Sequence, residues 1–340
     1  WAHLAPRLAK LAGCLTGDTW SLGARTATGG LRFLSEWPHS WSPTAVVLFS
    51  GGLDSLIGTL DLLETGERLV LVSHYDYGQL AALQQDLAAA LKEHYGPDRL
   101  HHLPLGVQLE GPELTLRSRS LLYLALGLAA AAAFPGPPPL LVPENGWISL
   151  NPPLTLNRLG SLSTRTTHPW VLEEIAALWR AAGLAQELRN PYLSLTKGEM
   201  VSRCRAPELL AKLAPRTVSC ARPVAGRWRR QTWQACGYCY PCLVRRAALH
   251  CLEADRGEDY GVDVLAAPET RRHRVQDRHL RALLLALQTW KENPAEMRDR
   301  VWAGAGTPPP GLTRLLAPGF AEFERWLMAK GGKVLEDFAV

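Results

Sequence analysis

The apolar run Ala45-Val46-Val47-Leu48-Phe49 passes without a spacer into Ser50-Gly51-Gly52-Leu53-Asp54-Ser55, and an apolar helical pattern comes next. A short β-branched apolar run bounded by turn residues reads as a buried strand. A strand that feeds directly into a helix aims the helix N-terminus at the strand's carboxyl end, where free N–H groups and the helix dipole favour an anion. Gly51 and Gly52 would let backbone approach a phosphate with no Cβ in the way, and Ser50 and Ser55 add hydroxyl donors. Asp54 cannot itself welcome a phosphate; it makes sense as a ligand to Mg²⁺ that bridges phosphate oxygens. The Walker pattern G-x-x-x-x-G-K-[ST] and the dinucleotide fingerprint G-x-G-x-x-G are both absent. The competing reading is a plain strand-to-helix turn.

The alternation of strand and helix repeats beyond this turn. Further apolar strand candidates lie at 69–73, 100–105 and 140–143, and helical patterns at 54–65, 79–95 and 118–134, the last broken by Pro-Gly-Pro-Pro-Pro at 135–139. Alternating strands and helices with short links predict an α/β fold, a parallel sheet with helices on both faces. Ligands of such sheets bind beyond the carboxyl ends of the strands. Ser50–Ser55, His74–Gln79 and Glu144–Asn145 all fall on that edge. The chain of 340 residues reads as an N-terminal extension of short strands and turns (1–43), the α/β domain (44–200), a cysteine-bearing segment packed on it (201–252) and a helical C-terminal extension (253–340), amphipathic over 271–287. The longest apolar run, 121–134, is too short to span a bilayer and reads as a buried helix. No leader-like segment opens the sequence, so a cytoplasmic protein with no membrane partner is expected. Trp1 in place of Met suggests that the natural N-terminus lies upstream.

Three of the seven cysteines, Cys236, Cys239 and Cys242, stand in C-x-x-C-x-x-C spacing, which reads as a metal site rather than a disulfide framework. The net charge of +5 is modest but uneven: ten Lys and Arg lie between Val201 and His250, with Glu208 the only acid there. Such a block expects an anionic neighbour, whether nucleotide, nucleic acid, acidic protein or thiolate–metal centre.

Ser50-Gly51-Gly52-Leu53-Asp54-Ser55 after an apolar strand resembles the PP-loop of ATP pyrophosphatases, a Rossmann-like α/β family. The resemblance implies that ATP is cleaved between the α- and β-phosphates, with Asp54, Lys197 and Arg119 as catalytic residues. Tyr77-Gly78-Gln79 resembles the Y-G-Q segment of the 7-cyano-7-deazaguanine synthase (QueC-like) family. Pro191 with Thr196-Lys197 and Glu199 resembles its proline–lysine segment, whose lysine faces the ATP phosphates. Thr217-Val218-Ser219-Cys220, followed by Cys236-Gly237-Tyr238-Cys239-Tyr240-Pro241-Cys242 and Arg245, resembles its T-x-S-C and C-G-x-C-x-x-C-x-x-R segments. On that resemblance Cys220, Cys236, Cys239 and Cys242 close a structural Zn²⁺ site, and Arg245 and Arg246 offset its negative charge. Cys14, Cys204 and Cys251 remain incidental thiols. Lys197, taken alone, also reads as a solvated lysine at a helix start.

The sequence departs from the synthase in three places. Leu80 and Ala81 come after Y-G-Q where the synthase has Arg and His. Arg117 and Arg119 with Ser120 stand where it has an R-N pair. No acid occurs in 146–169, where the synthase is aspartate-rich. That last feature resembles the QueC-like proteins of bacterial anti-phage systems, notably QatC. The resemblance implies a ligase that adenylates a 7-deazaguanine-type carboxylate and passes it to an amine, the N-terminus of an acceptor protein from the same operon. Glu144, Asn145, Arg165, Thr166 and His168 join Tyr77, Gly78 and Gln79 as candidate substrate residues, His168 either as a base or as a cap before Pro169. The alternatives are a nitrile-forming synthase and an RNA-modifying enzyme. The second would use the Arg- and Trp-bearing stretch 226–234 for stacking and phosphate contact; a basic loop beside the zinc and ATP sites is the reading favoured over it.

Overall fold

Strand β1 (Ala45–Leu48) alternates its side chains between two cores, and that alternation sets the layers. Val47 and the adjoining Phe49 point into one core, Val46 and Leu48 into the other. The computed structural model describes residues 2–25, 41–107, 119–159, 167–221, 235–266, 276–303, 311–332 and 334–335. In chain order its strands are β1, β2 (Leu69–Tyr75), β3 (Leu100–Gly106), β4 (Leu140–Leu141) and β5 (Leu188–Arg189), all parallel, in the spatial order β3-β2-β1-β4-β5. Val46 lies between Val70 on one side and Leu140 on the other. The expected α/β sheet with helices on both faces is thus observed, and the chain reverses its direction of travel across the sheet at β1/β4. That crevice is where open parallel sheets bind ligands.

Helices α2 (Leu53–Glu64), α3 (Gly78–Tyr95), α7 (Lys197–Ser202), α8 (Pro207–Leu213) and α9 (Tyr240–His250) cover one face; α1 (Ala5–Thr16), α4 (Arg119–Ala132) and α6 (Pro169–Ala181) cover the other. The expectation of short strands and turns for residues 1–43 is corrected over part of that stretch: Ala5–Thr16 is an α-helix. Leu4, Leu8, Leu11 and Leu15 recur at helical spacing and pack beside α6, and Arg7 Nε reaches Glu174 of α6 at 3.0 Å. The Trp-, Gly- and Thr-rich residues after Gly17 obscured that stripe.

A second core lies beyond α9. Here α5 (Gly146–Leu150), α10 (Arg278–Glu292), α11 (Pro294–Trp302) and α12 (Leu316–Lys330) gather around Trp147, Phe320, Phe323 and Trp326. The amphipathic helix expected over 271–287 is α10, and residues 271–275 lie outside the described set. Helix α9 belongs to both cores: Ala248 and Leu249 face the sheet, while Tyr240, Leu243 and Val244 face the helical unit. Among the described residues no helix is long and apolar enough to cross a membrane.

Docking of α1 on the sheet is testable. Leu15 is fully buried. Leu15→Ala should cost about 2–5 kcal/mol through the lost methyl groups and the cavity left behind. It should lower the melting temperature by several degrees, whereas Lys10→Ala on the exposed face should leave it unchanged. Scanning calorimetry of the two variants checks this.

Candidate active site

The turn after β1 is closed on itself. Gly51 adopts φ +80°, which a side chain would disfavour, and a Cβ there would lie 2.5 Å from Leu83 Cδ2. Gly52 N–H donates to Ser50 Oγ at 3.3 Å, and Ser55 Oγ donates to the Gly52 carbonyl at 3.0 Å. Ser50 and Ser55 hydroxyls lie 3.3 Å apart. Helix α2 starts at Leu53 with no side-chain cap from Gly52; instead Leu53 N–H donates to Ser219 Oγ at 3.2 Å. The Gly51 carbonyl accepts from Val218 N–H at 3.1 Å. The T-V-S-C segment therefore lies along the glycine loop.

Asp54 and Lys197 meet in the first turns of α2 and α7. Asp54 Oδ1 accepts from Lys197 Nζ at 2.6 Å, and the two residues are only 6% and 5% exposed, which removes the reading of Lys197 as a solvated lysine. Asp54 Oδ2 accepts from Asn145 Nδ2 at 2.6 Å and from Asn145 N–H at 3.2 Å. Asn145 Nδ2 also lies 3.2 Å from Glu144 Oε1, and its Oδ1 caps α5 by accepting from Ile148 N–H at 2.9 Å. Asn145 is fully buried, so in this structure it orients Asp54 rather than facing solvent. Burial pushes the Asp54 carboxyl up, but the Lys197 ammonium and the hydrogen bonds of Glu144, Lys197 and Asn145 outweigh it and hold Asp54 below the usual carboxylate range. Burial, and then the Asp54 charge, push Glu144 well above its ordinary value. The two carboxyls thus titrate as a pair in which Asp54 is the more readily ionised.

The four cysteines converge. Cys220 Sγ and Cys239 Sγ lie 3.8 Å apart, Cys236 and Cys242 3.9 Å, and Cys239 and Cys242 3.4 Å, with all four sulfur atoms within 4.8 Å of one another. A tetrahedral zinc with Zn–S of about 2.3 Å sets sulfurs about 3.8 Å apart. None of the four forms a disulfide. Backbone N–H groups of Ala221, Cys236 and Cys239 each point at a cluster sulfur at 3.4 Å. Gly237 permits the turn with φ +82°, and a Cβ there would strike the Val262 carbonyl at 2.0 Å. The donor set, spacing and burial fit a closed four-thiolate zinc site.

The two arginines expected beside it divide. Arg245 donates to Thr217 Oγ1 at 2.6 Å and to the Ala214 carbonyl at 2.7 Å, holding the segment that leads to Cys220. Arg246 turns away, pairing with Asp255 at 2.9 Å and Asp263 at 2.8 Å, and stacks over Tyr260 and Trp326. Its charge is met by carboxylates, not by thiolates, which corrects the expectation.

A second cluster occupies the β2/β3 side of the same edge. Arg119 pairs with Asp76 at 2.9 Å and lies 5.5 Å from the Tyr123 ring centroid. Asp76 also meets His74 Nε2 at 2.9 Å, and Tyr123 hydroxyl donates to the His74 carbonyl at 2.8 Å. Arg119 is thus engaged by Asp76, while Asp54 and Lys197 pair with each other across the β1/β4 crevice. Tyr77, Gly78 and Gln79 form the N-terminus of α3 beside Asp76, with Gly78 and Gln79 exposed. His168 caps α6, its Nδ1 accepting from Trp170 N–H at 3.3 Å, the second of its two expected roles. Arg165, Thr166, Arg117 and the stretch 226–234 lie outside the described residues.

Three contributors were missed in the sequence. Ser219 stands in the sequence inside a cysteine motif, with nothing to mark its own role. Asp76 lies inside a tyrosine–glycine segment whose neighbours carry the motif. Gln84 donates from Nε2 to the Ser50 and His74 carbonyls, both at 3.1 Å, and so ties the loop to β2. Its signal was present: Leu80, Leu87 and Leu91 form the buried stripe of α3, and Gln84 is a polar residue on that stripe.

No protein-family model matches the chain. A protein named 7-cyano-7-deazaguanine synthase from Novosphingobium aromaticivorans is 29% identical over 250 residues, 67% of this chain and 98% of that protein. One of the same name from Parasynechococcus marenigrum is 27% identical over 233 residues, 61% of this chain and 92% of its own length. The similarity therefore runs along nearly the whole of those proteins and leaves about a third of this chain outside it.

The carboxyl pair and the cysteine cluster each predict a measurable outcome. A carboxyl pushed up by folding keeps its stabilising proton below the unfolded value and loses that stability as pH rises through the folded value. Glu144→Gln should therefore raise the melting temperature relative to wild type at about pH 8, measured without added Mg²⁺, with the gap closing as pH falls below about 4 and the unfolded Glu144 also takes up its proton. Elemental analysis should find one zinc per chain, and Cys239→Ser should lose most of it together with several degrees of melting temperature.

Proposed function

We propose that this chain is an ATP-using enzyme of the 7-cyano-7-deazaguanine synthase type. On this reading it activates a 7-deazaguanine carboxylate as an acyl adenylate and transfers the acyl group to an amine. The observation that carries the reading is the buried Asp54–Lys197 pair at 2.6 Å, set in the Ser50–Ser55 turn at the point where the sheet reverses direction. The names of the two relatives support the substrate class.

The chemistry is divided among the residues of the crevice. Backbone N–H groups at the start of α2 and the Ser50 hydroxyl bind phosphate oxygens. The substrate carboxylate oxygen attacks the α-phosphorus, the bond from that phosphorus to the bridging oxygen breaks, and pyrophosphate leaves. Lys197, already held in the loop by Asp54, stabilises the charge that accumulates on the departing group. Asp54 and Glu144 are adjacent hard oxygen donors and would hold Mg²⁺, which would neutralise and orient phosphate oxygens when bound. The amine nitrogen then attacks the acyl carbon, AMP leaves with the electron pair of the broken C–O bond, and the nitrogen gives up a proton. The zinc site is structural in this scheme, since four thiolates leave no open position for a substrate.

We further propose that the amine belongs to the N-terminus of a partner protein. The absence of any acid in 146–169 supports this, because carboxylates there would attract ammonium. So does an open cleft of about 790 Å³ between residues 154–158 and α10, edged by Arg158, Arg278 and the Asp277–Arg281 ion pair. An open groove of this size suits a segment of polypeptide better than ammonia.

Incubation with ATP and 7-carboxy-7-deazaguanine should release pyrophosphate, and Asp54→Ala should reduce the rate by roughly 100-fold or more. Equal background in both proteins would sink the enzymatic reading. Intact-mass spectrometry of neighbouring operon proteins co-expressed with the chain should show an Asp54-dependent mass increase. Rapid formation of free nitrile with ammonium, and no protein adduct, would establish the synthase alternative instead.

A further inference from the structure

Helix α7 is only six residues long, yet it carries Lys197 as its first residue. Its N-terminus is unusually well fastened. Thr196 is the cap: its Oγ1 accepts from Glu199 N–H at 3.2 Å, and Glu199 Oε2 accepts from Thr196 N–H at 2.8 Å. The single hydroxyl proton of Thr196 is then free to be given elsewhere, and it goes to Glu322 Oε1 of α12. The other oxygen of the same carboxylate, Oε2, accepts from Gly198 N–H at 3.1 Å. One carboxylate thus grips the residues on both sides of Lys197. Residue 198 must be glycine for this: a Cβ there would lie 2.6 Å from the Glu322 carboxyl carbon. Thr196 is fully buried and Glu322 is 6% exposed, so water does not replace these bonds.

Glu322 comes from the helical unit, 124 positions away from Gly198 in sequence. Its carboxylate is nevertheless aimed at a helix N-terminus, where negative charge is favoured. We infer that Glu322 is the positioning residue for Lys197, and that the C-terminal helical unit is an integral part of the phosphate site rather than an appended module. Asp54 fixes the tip of the lysine, while Glu322 fixes the backbone from which the lysine springs. Removing it frees the Thr196 hydroxyl and the Gly198 N–H in a dry environment. The start of α7 then has to rearrange to satisfy them, and Lys197 Nζ leaves the place where leaving-group charge develops.

The test uses full-length Glu322→Ala, Glu322→Gln and Thr196→Val, with two readouts. The first is the rate at which Lys197 is acylated by an amine-selective reagent, measured by peptide mass spectrometry. The second is pyrophosphate release, separated into kcat and KM for ATP; this part rests on the proposed function, whereas the labelling does not. In wild type Lys197 should be protected. Glu322→Ala should label several-fold faster at Lys197 but not at Lys10, and should lose roughly 10- to 100-fold in kcat with KM for ATP little changed. Glu322→Gln, which keeps one acceptor oxygen, should fall between the two. Unchanged labelling of Lys197 in Glu322→Ala overturns the inference, even if the melting temperature falls, because the carboxylate would then be serving packing alone. If Glu322→Ala does not fold, Glu322→Gln decides by the same criteria, since it keeps the bulk of the side chain and one acceptor oxygen; Thr196→Val removes both the cap of α7 and the donor to Glu322 and sets the upper limit of labelling. If wild type releases no pyrophosphate, the functional reading fails and the labelling comparison still stands.

Discussion

A buried ion pair between Asp54 and Lys197 is the constraint around which the rest is arranged. Taking two charges out of water is costly, and their mutual attraction repays it only when the remaining lone pairs and protons are satisfied. Here the satisfaction comes from three separate parts of the chain. Helix α2 supplies the carboxylate in its first turn, where the dipole favours it. Asn145 donates twice to Asp54 Oδ2 from the loop after β4. Helix α7 brings the ammonium from the far side. The β1/β4 crossing places these three together, because β4 lies directly beside β1 and its carboxyl end opens next to the glycine loop.

The cysteine cluster serves the same end by another route. Cys220 comes directly after Ser219, and Ser219 is the residue that receives the Leu53 N–H at the start of α2. Val218, one position earlier, donates to the Gly51 carbonyl. Fixing Cys220 in a metal site therefore fixes a two-residue clamp along the loop, and Arg245 holds the segment from behind through Thr217. A metal held there would contribute to loop geometry through these backbone and hydroxyl contacts. Helix α9, which starts between Cys239 and Cys242, then carries the constraint into both hydrophobic cores.

Features encoded locally were legible, and features made by distant partners were not. The strand–glycine–helix turn, the C-x-x-C-x-x-C spacing and the apolar strands each fit within a dozen residues, where pattern maps directly onto geometry. The pairing of Ser219 with Leu53 and of Glu322 with Gly198 spans more than a hundred positions, and nothing in either neighbourhood announces it. Strand β5 is two residues long and too short to show a period. Helix α1 is encoded in Leu4, Leu8, Leu11 and Leu15, but the turn-forming residues beyond Gly17 mask that stripe when residues 1–43 are taken as one stretch. Lys197 was ambiguous for a physical reason: a lysine at a helix start looks the same whether its tip meets water or a carboxylate fixed elsewhere in the fold.

The charge balance of the crevice bears on how the proposed reaction would be ordered. Asp54, Glu144 and Lys197 supply two carboxyls and one ammonium, and Glu144 is the carboxyl that holds a proton more tightly. Burial and the neighbouring Asp54 charge both favour a proton on Glu144. A divalent cation arriving with a polyphosphate would displace it and gain a second oxygen ligand, while Lys197 would turn from Asp54 toward phosphate without leaving any charge unpaired. On the proposed reading the crevice is one cation short of ionising both carboxyls, and a nucleotide arriving with its cation would bring one. On the proposed reading ATP would enter with its cation before the amine, since an amine bound first would face an Asp54 already committed to Lys197.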